Sequence, residues 1–169
     1  DIKPDQVERL GVRTNRLLPL NLTYRRPTTG LQGKFSMEFG LAAILTMRRA
    51  GLAEFADAVV NRADVRLAID KIDYTVYSDE EAAANCYALL TTFLDIALKD
   101  GRRFSARADA AYGSPAMPMT EEQISGKFRA CAEFAGWPVQ RTEKLIESIL
   151  RLEELEDVRP LAELLRSEA

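Results

Sequence analysis

Histidine is missing from this sequence of 169 residues. Without it, the chain by itself cannot build a Ser-His-Asp or Cys-His nucleophile pair, a histidine-ligated zinc site or a histidine general base. Any acid or base that the chain contributes must be a carboxylate, a lysine, a tyrosine or a cysteine. This absence excludes the common histidine-dependent hydrolase and metalloenzyme mechanisms for the chain alone.

Long apolar runs and blocks of like charge are also missing. The most apolar stretches, residues 41–47 and 86–97, are shorter than the roughly 20 residues that span a bilayer. The net charge is −3, and basic residues are interleaved with acidic ones, so the sequence indicates no surface for nucleic acid. With 47% hydrophobic and 29% charged residues, the composition is typical of a soluble globular protein, and we expect it to be cytoplasmic.

Cysteine is scarce, with only Cys86 and Cys131 present. Both lie in apolar, helical surroundings, which predicts buried, reduced thiols rather than a disulfide, as is usual in the cytosol. The chain begins Asp-Ile-Lys-Pro-Asp, without an initiator methionine, a basic leader or an apolar leader. This start resembles neither a signal peptide nor a natural N-terminus, so we expect the chain to be part of a longer protein.

The pattern of hydrophobic residues predicts an α+β fold: a small, mainly antiparallel sheet with flanking helices, followed by a helical C-terminal tail. Asp100 and Gly101 form a strong two-residue hairpin signal, which would join the last two strands. Extended or alternating segments that are typical of strands occur at residues 6–13, 71–77, 91–98 and 103–109.

The most apolar helical segment, residues 36–49, is apolar on nearly every side and predicts a buried central helix. Gly51 follows two arginines, a common signal for the end of a helix. Residues 15–34 are rich in arginine, proline, threonine and glycine, which predicts a long loop before this helix. Shorter helices are predicted at residues 52–60, at residues 63–69 and after a cap formed by Ser78 with Glu81.

Two regions are predicted, residues 1–116 as an α+β domain and residues 117–169 as a helical tail. In the tail, Thr120 and Gln123 have the spacing of a capping box, which predicts a helix that continues to about residue 134. Trp137-Pro138 would break this helix. Two further helices are predicted at residues 142–154 and after an Asp157 cap with Pro160 in the first turn.

The candidate chemistry is concentrated between Arg25 and Ser36. A loop of glycine, basic and hydroxyl residues runs directly into the predicted apolar helix. Free backbone N–H groups and the positive end of the helix dipole would attract an anion there, such as a carboxylate or a phosphate. Equally compatible with the sequence is an N-cap at Ser36 behind a surface loop whose arginines are solvated. The candidate ligands are Lys34, Ser36, Arg25, Arg26 and Thr29.

Other motifs carry less information. The glycine spacing of the loop does not match a Walker A motif, and Phe35 separates Lys34 from Ser36, so nucleotide binding is not favoured. Tyr112 would be an acid or a hydrogen-bond donor to a carboxylate, although a tyrosine at such a corner is commonly a packing residue. The acidic run at residues 153–157 lies beside arginines and indicates a solvated helix end, so no metal site is expected.

One segment resembles the Gly-Leu-x-x-Lys-Phe-Ser-x-x-Tyr/Phe pattern that leads into an apolar helix in MmgE/PrpD proteins. It reads Thr29-Gly30-Leu31-Gln32-Gly33-Lys34-Phe35-Ser36-Met37-Glu38-Phe39. Further matches follow in the order of the family and cover nearly the whole chain. They are the Asp100-Gly101 hairpin, Tyr112-Gly113-x-Pro115, Pro118-x-Thr120, Lys127-Phe128 and Leu152-Glu153-x-Leu155.

The resemblance implies the C-terminal, substrate-covering part of a 2-methylcitrate dehydratase-like enzyme. The family includes 2-methylcitrate dehydratases, cis-aconitate decarboxylases and an iminodisuccinate epimerase, which act on small di- or tricarboxylates by proton transfer next to a carboxylate. Complete members carry a larger N-terminal helical domain that supplies histidine. Residues 1–116 would then be a lid, residues 117–169 would pack on that domain, and the chain alone would be inactive.

No metal or organic cofactor is implied by the resemblance, and a homo-oligomer such as a dimer is expected. Apolar tail residues, namely Leu145, Ile149 and Leu152, would be uncovered or paired with another copy.

The resemblance places Lys34 and Ser36 at the edge of the active site as carboxylate binders, whereas Phe39 stands where many relatives have tyrosine. The nomination of Arg25, Arg26 and Thr29 rests on the anion argument. A function of another class is also compatible: a non-catalytic module whose loop binds a carboxylate and whose tail docks a partner protein. An upstream domain that carries histidine would favour the enzyme.

Overall fold

The computed structural model of this chain describes residues 2–166. The chain divides into two units, Asp1–Pro118 and Met119–Ala169. The first contains a sheet with helices, and the described part of the second contains helices, so the predicted α+β class is confirmed. The roles predicted for the two regions, a lid and a tail that packs on a further domain, stay predictions.

The sheet of the described residues has four strands in the spatial order β2-β1-β3-β4. They are β1 (Val7–Thr14), β2 (Ile72–Val76), β3 (Thr92–Leu98) and β4 (Arg103–Ala108). The central strand β1 is parallel to β2 and antiparallel to β3, which is antiparallel to β4. The predicted hairpin is therefore present, and Gly101 in its turn has φ +88°, where a side chain would be strained.

The register of β1 separates the two faces of the sheet. Leu10 lies opposite Ile72 on one side and Ile96 on the other, and these side chains share the inner face. On the outer face Arg13 pairs with Phe93, and its guanidinium lies 4.9 Å from the centre of the phenyl ring. The buried core on the inner side consists of Val7, Leu10, Phe39, Ala42, Ala43, Leu45, Val60, Val65, Ala68, Ile69 and Leu98.

The helices of the first unit are α1 (Leu18–Asn21), α2 (Gly30–Gly33), α3 (Met37–Met47), α4 (Asp57–Val60), α5 (Ala63–Ile69) and α6 (Asp79–Ala84), with 3₁₀ turns at Pro4–Gln6 and Leu52–Phe55. The long loop predicted at residues 15–34 therefore contains two short helices. The helix predicted at residues 52–60 is interrupted at Ala56, whose backbone is extended. The Ser78 cap is confirmed, because its Oγ accepts a hydrogen bond from the Glu81 N–H.

Helix α3 begins as predicted but ends differently. The helix ends at Arg48, which has the left-handed conformation with φ 60°, and not at Gly51 as predicted. Gly51 instead donates its N–H to the carboxylate of Glu54 at 2.7 Å, which starts the next turn. The helix is also not buried on every side, because Ile44 is 51% exposed while Phe39 is fully buried.

The second unit contains α7 (Glu121–Phe134), α8 (Val139–Leu150), α9 (Arg159–Leu165) and a 3₁₀ turn at Leu152–Glu154. The capping box at Thr120 is confirmed in both of its hydrogen bonds. Helix α8 begins directly after Pro138, three residues before the predicted start. Leu145 of α8 is buried, so the expectation that this residue is uncovered is wrong. Ile149 and Leu152, which were also expected to be uncovered, are exposed.

The two cysteines are both free and exposed, so the prediction of buried thiols is wrong. Cys86 follows the end of α6 with a positive φ of 52°, and this turn directs the residue out of the helix. Cys131 lies on an outward position of α7. No helix among residues 2–166 has the length and apolar character that a membrane crossing needs.

Candidate functional site

Two glycines hold the Arg25–Ser36 segment against the rest of the first unit. A Cβ on Gly30 would lie 1.9 Å from the carbonyl oxygen of Phe55, so no side chain fits there. A Cβ on Gly33 would lie 3.1 Å from the ring of Phe39. The glycines therefore allow α2 to pack closely on its neighbours, and the Tyr24 N–H bonds the Phe35 carbonyl at 3.1 Å to close the segment.

The backbone N–H groups of this segment are largely used within the protein. Gly30 donates to the carboxylate of Asp57 at 2.6 Å, and Gln32 donates to Thr29 Oγ1 at 3.2 Å. The N–H groups from Gly33 to Ser36 bond carbonyls of the same turn. Asp57 therefore occupies the N-terminus of α2. The sequence predicted free N–H groups at the start of the apolar helix, which is α3. There the Ser36 cap accepts the N–H of Phe39, and anion binding at this helix stays a prediction.

Four polar side chains meet where β1, β2 and α3 come together. The Arg25 guanidinium bonds Glu38 Oε1 through Nη1 at 2.8 Å and lies 4.4 Å from the centre of the Tyr74 ring. The Tyr74 hydroxyl lies 3.0 Å from Thr14 Oγ1, and Thr14 is fully buried. We call Arg25, Glu38, Tyr74 and Thr14 the polar cluster.

Burial is the main cause that raises the pKa of Tyr74 above its ordinary value. Its hydrogen bond with Thr14 and the charge of Arg25 act in the opposite direction, whereas the nearby charge of Glu38 raises the pKa further. The phenol therefore stays protonated at neutral pH. It can donate a hydrogen bond, but it is not prepared to act as a base.

Glu38 is the unusual member of the polar cluster. Its side chain is only 6% exposed, whereas that of Arg25 is 51% exposed. Glu38 Oε2 is buried and has no hydrogen-bond partner among the described residues. A buried polar atom without a hydrogen bond lowers the stability of the fold by about 1 to 3 kcal/mol. The position of Glu38 in the first turn of α3 is favourable for a carboxylate, but it contributes only about 0.3 to 1 kcal/mol.

Ser36 and Lys34 have different surroundings. Ser36 is buried, and its Oγ caps α3 by accepting a hydrogen bond from the Phe39 N–H at 3.1 Å. The capping role that the sequence left open is therefore present. Lys34 is exposed at the end of α2, and no hydrogen bond or ion pair within residues 2–166 involves its amine. Carboxylate binding by either residue stays a prediction.

The remaining nominated residues make other contacts or are exposed. Arg26 forms an ion pair with Asp70 at 2.8 Å, and Thr29 caps α2. Tyr112 is 73% exposed in its loop, and no hydrogen bond or ring contact in the described part of the chain joins it to Arg25–Ser36. Within the described residues, no three acidic or thiol side chains are grouped as a metal site.

Comparison with known proteins gives a match that covers this whole arrangement. Residues 1–152, which contain both the loop and the polar cluster, match the MmgE/PrpD C-terminal domain. The chain belongs to the MmgE/PrpD family. The resemblance seen in the sequence is thereby confirmed.

Two curated relatives extend the comparison. The chain is 28% identical over 163 residues to a cis-aconitate decarboxylase of Homo sapiens, a match that covers 96% of this chain and 32% of the relative. It is also 28% identical over 162 residues to a cis-aconitate decarboxylase of Mus musculus, again covering 96% of this chain and 32% of the relative. The chain thus spans about a third of the length of these curated relatives.

Within this MmgE/PrpD C-terminal domain, sequence reasoning missed Glu38, Tyr74 and Thr14. Glu38 gave a signal, because it is the only charged residue in the apolar sequence of α3. Tyr74 and Thr14 gave no signal in the sequence, since their contact depends on the parallel pairing of β1 with β2. Among the polar cluster and Lys34, the positive charge comes from Arg25 and Lys34, and carboxylate binding by these side chains stays a prediction.

Proposed function

We propose that this chain is the C-terminal, substrate-covering part of a lyase or isomerase that acts on small di- or tricarboxylates by proton transfer next to a carboxylate. The observation that carries the proposal is the match to cis-aconitate decarboxylases over 96% of the chain, in a family whose C-terminal domain it contains. The cationic loop supports it, because Arg25 and Lys34 are both exposed and can meet an anionic substrate.

The chain's own residues then bind and orient the substrate. Lys34 supplies an ammonium that has no partner among residues 2–166, and Arg25 supplies a guanidinium that lies over the ring of Tyr74. Proton transfer is assigned to the rest of the protein, because the chain has no histidine. The isolated chain is accordingly expected to show no turnover of methylcitrate, cis-aconitate or iminodisuccinate.

The test is Lys34→Ala in the full-length protein that contains this chain. Loss of one charge-assisted contact of about 1.5 to 3 kcal/mol should lower kcat/KM by roughly one to two orders of magnitude. The melting temperature should hardly change, because the lysine is exposed and has no partner within the described residues. Steady-state kinetics on the three carboxylates and thermal melting measure the two effects.

Lys99→Ala is the matched control, since Lys99 is exposed in the hairpin away from the loop. It should leave kcat/KM unchanged, which separates a local contact from a general effect of charge. Unchanged kcat/KM in Lys34→Ala would remove Lys34 from the site. Turnover of none of the carboxylates by the full-length protein, or robust turnover by the isolated chain, would overturn the proposed function.

A further inference from the structure

The first unit contains two buried glutamates that differ in one respect. Glu54 has partners for both oxygens: Oε2 accepts from the Gly51 N–H at 2.7 Å, and Oε1 lies 3.4 Å from Arg49 Nε. Among the described residues, Glu38 has a partner for one oxygen, which is Arg25, and its other oxygen is buried without a partner. A carboxylate kept for stability would resemble Glu54, so Glu38 requires another explanation.

The explanation lies in what Glu38 does to Arg25. A half-exposed arginine on a loop samples many rotamers unless contacts fix it. Glu38 binds one end of the guanidinium through Nη1, and the guanidinium carbon lies 4.4 Å from the centre of the Tyr74 ring. No other hydrogen bond from this guanidinium occurs in the described part of the chain, so its remaining N–H groups are available for a planar, bidentate contact with a carboxylate.

We propose that Glu38 is a positioning residue, which fixes the Arg25 guanidinium so that it binds a carboxylate of the substrate. This inference rests on the proposed function for the class of substrate. It assigns Glu38 no contact with the reacting atoms. The unpaired Glu38 oxygen then lowers the stability of the fold, and this loss is tolerated because Glu38 orients Arg25.

The experiment compares Glu38→Leu, Glu38→Gln and Glu54→Leu in the full-length protein. Glu38→Leu should raise KM by about tenfold with little change in kcat, because a contact made equally in ground and transition states is lost. Glu38→Gln keeps an acceptor for Arg25 Nη1 and should restore most of the KM. A purely structural glutamate would not produce this split or this rescue.

Thermal melting provides the second readout. Glu38→Leu should leave the melting temperature unchanged or raise it, because the leucine removes an unpaired buried oxygen and leaves Arg25 half-exposed to water. Glu54→Leu should lower the melting temperature and leave KM unchanged, since the Gly51 N–H loses its acceptor.

The outcomes separate this inference from the proposed function. If the wild type turns over a carboxylate and Glu38→Leu has an unchanged KM, the role of Glu38 is overturned and the proposed function stands. The role of Glu38 is also overturned if Glu38→Leu lowers the melting temperature as much as Glu54→Leu does. If the wild type turns over no carboxylate but binds citrate in calorimetry, and Glu38→Leu weakens that binding, the role of Glu38 is supported and the proposed reaction fails. Absence of any citrate binding, together with absence of turnover, overturns both.

Discussion

Close packing accounts for the glycines of the Arg25–Ser36 segment. The position of Gly30 against the Phe55 carbonyl leaves no space for a methyl group. The same glycine donates its N–H to Asp57, so its backbone is satisfied within the fold. At the scale of single residues, the family pattern around Lys34 therefore combines a packing requirement with an exposed charge.

Gly30→Ala is expected to destabilise the first unit. The added Cβ would lie 1.9 Å from a backbone oxygen, which cannot move without shifting the turn that carries Phe55. Overpacking of this kind costs about 1 to 3 kcal/mol, and the melting temperature of a chain of this size should fall by roughly 2 to 10 °C. Differential scanning calorimetry on the purified chain measures the shift.

Gly40→Ala is the matched control for that experiment. Gly40 lies inside α3, and an added Cβ meets nothing within 4 Å. This substitution should stabilise the chain by about 0.5 to 1 kcal/mol, because alanine loses less backbone freedom in a helix. Equal stability of Gly30→Ala and the wild type would show that the turn at Phe55 adapts.

Contacts between near neighbours in sequence could be predicted, and contacts between distant residues could not. The caps at Ser78 and Thr120 depend on residues three positions away, and both are confirmed. The contact of Arg25 with Tyr74 depends on how a loop and a strand meet in space, which no local pattern encodes. The polar cluster was missed for this reason.

At the scale of elements, α3 connects the core to the candidate site. Its buried residues pack on the sheet and on α5, and its first turn carries both the Ser36 cap and Glu38. The sequence predicted this helix because its apolar character is so continuous. It could not predict the end at Arg48, since glycine is the usual residue in the left-handed conformation and Gly51 was close by.

Ser36→Ala and Ser36→Gly distinguish the cap from a role in binding. Loss of the cap should cost about 1 kcal/mol in the alanine variant and only a few tenths in the glycine variant, because glycine tolerates the cap conformation. Urea unfolding measures both. If Ser36 also contacts the substrate, the two variants should lose the same factor in kcat/KM, whereas a cap alone predicts that kcat/KM is retained in the glycine variant.

At the scale of the whole molecule, the response to alkaline pH follows from two tyrosines of the first unit. Burial is the main cause that raises the pKa of both Tyr74 and Tyr77. Tyrosine in an unfolded chain titrates near pH about 10. The stability contributed by the protonated phenols is therefore complete below that pH, and it is lost as the pH rises through the folded pKa.

We expect the free energy of unfolding to fall above about pH 10 and the fall to be smaller in the Tyr74→Phe/Tyr77→Phe double variant. A series of urea titrations on either side of this pH measures the slope. Lys71 changes the free energy of unfolding in the opposite direction as the pH rises, since burial lowers its pKa. Because Lys71 is present in both the wild type and the double variant, it does not affect their comparison. An unaltered slope in the double variant would contradict the expectation.

The fold class and the β3–β4 hairpin could be predicted because alternation and turn residues lie side by side in the sequence. The parallel pairing of β1 with β2 could not, because helices α1 to α5 separate the two strands along the chain. Burial of the cysteines was also predicted wrongly, since composition shows neither that Cys86 lies in the turn after α6 nor which side of α7 faces water.

The central place of β1 has a consequence for how the chain is made. During synthesis β1 emerges before β2 and β3, so Leu10 reaches its neighbours only after Ile72 and Ile96 have been made. Until then its N–H and C=O groups and its apolar residues have no strand to pair with, and closing such long loops is slow. A ribosome that stalls before β2 would therefore display an unpaired apolar strand, which is the kind of segment that chaperones hold and that aggregates when they do not.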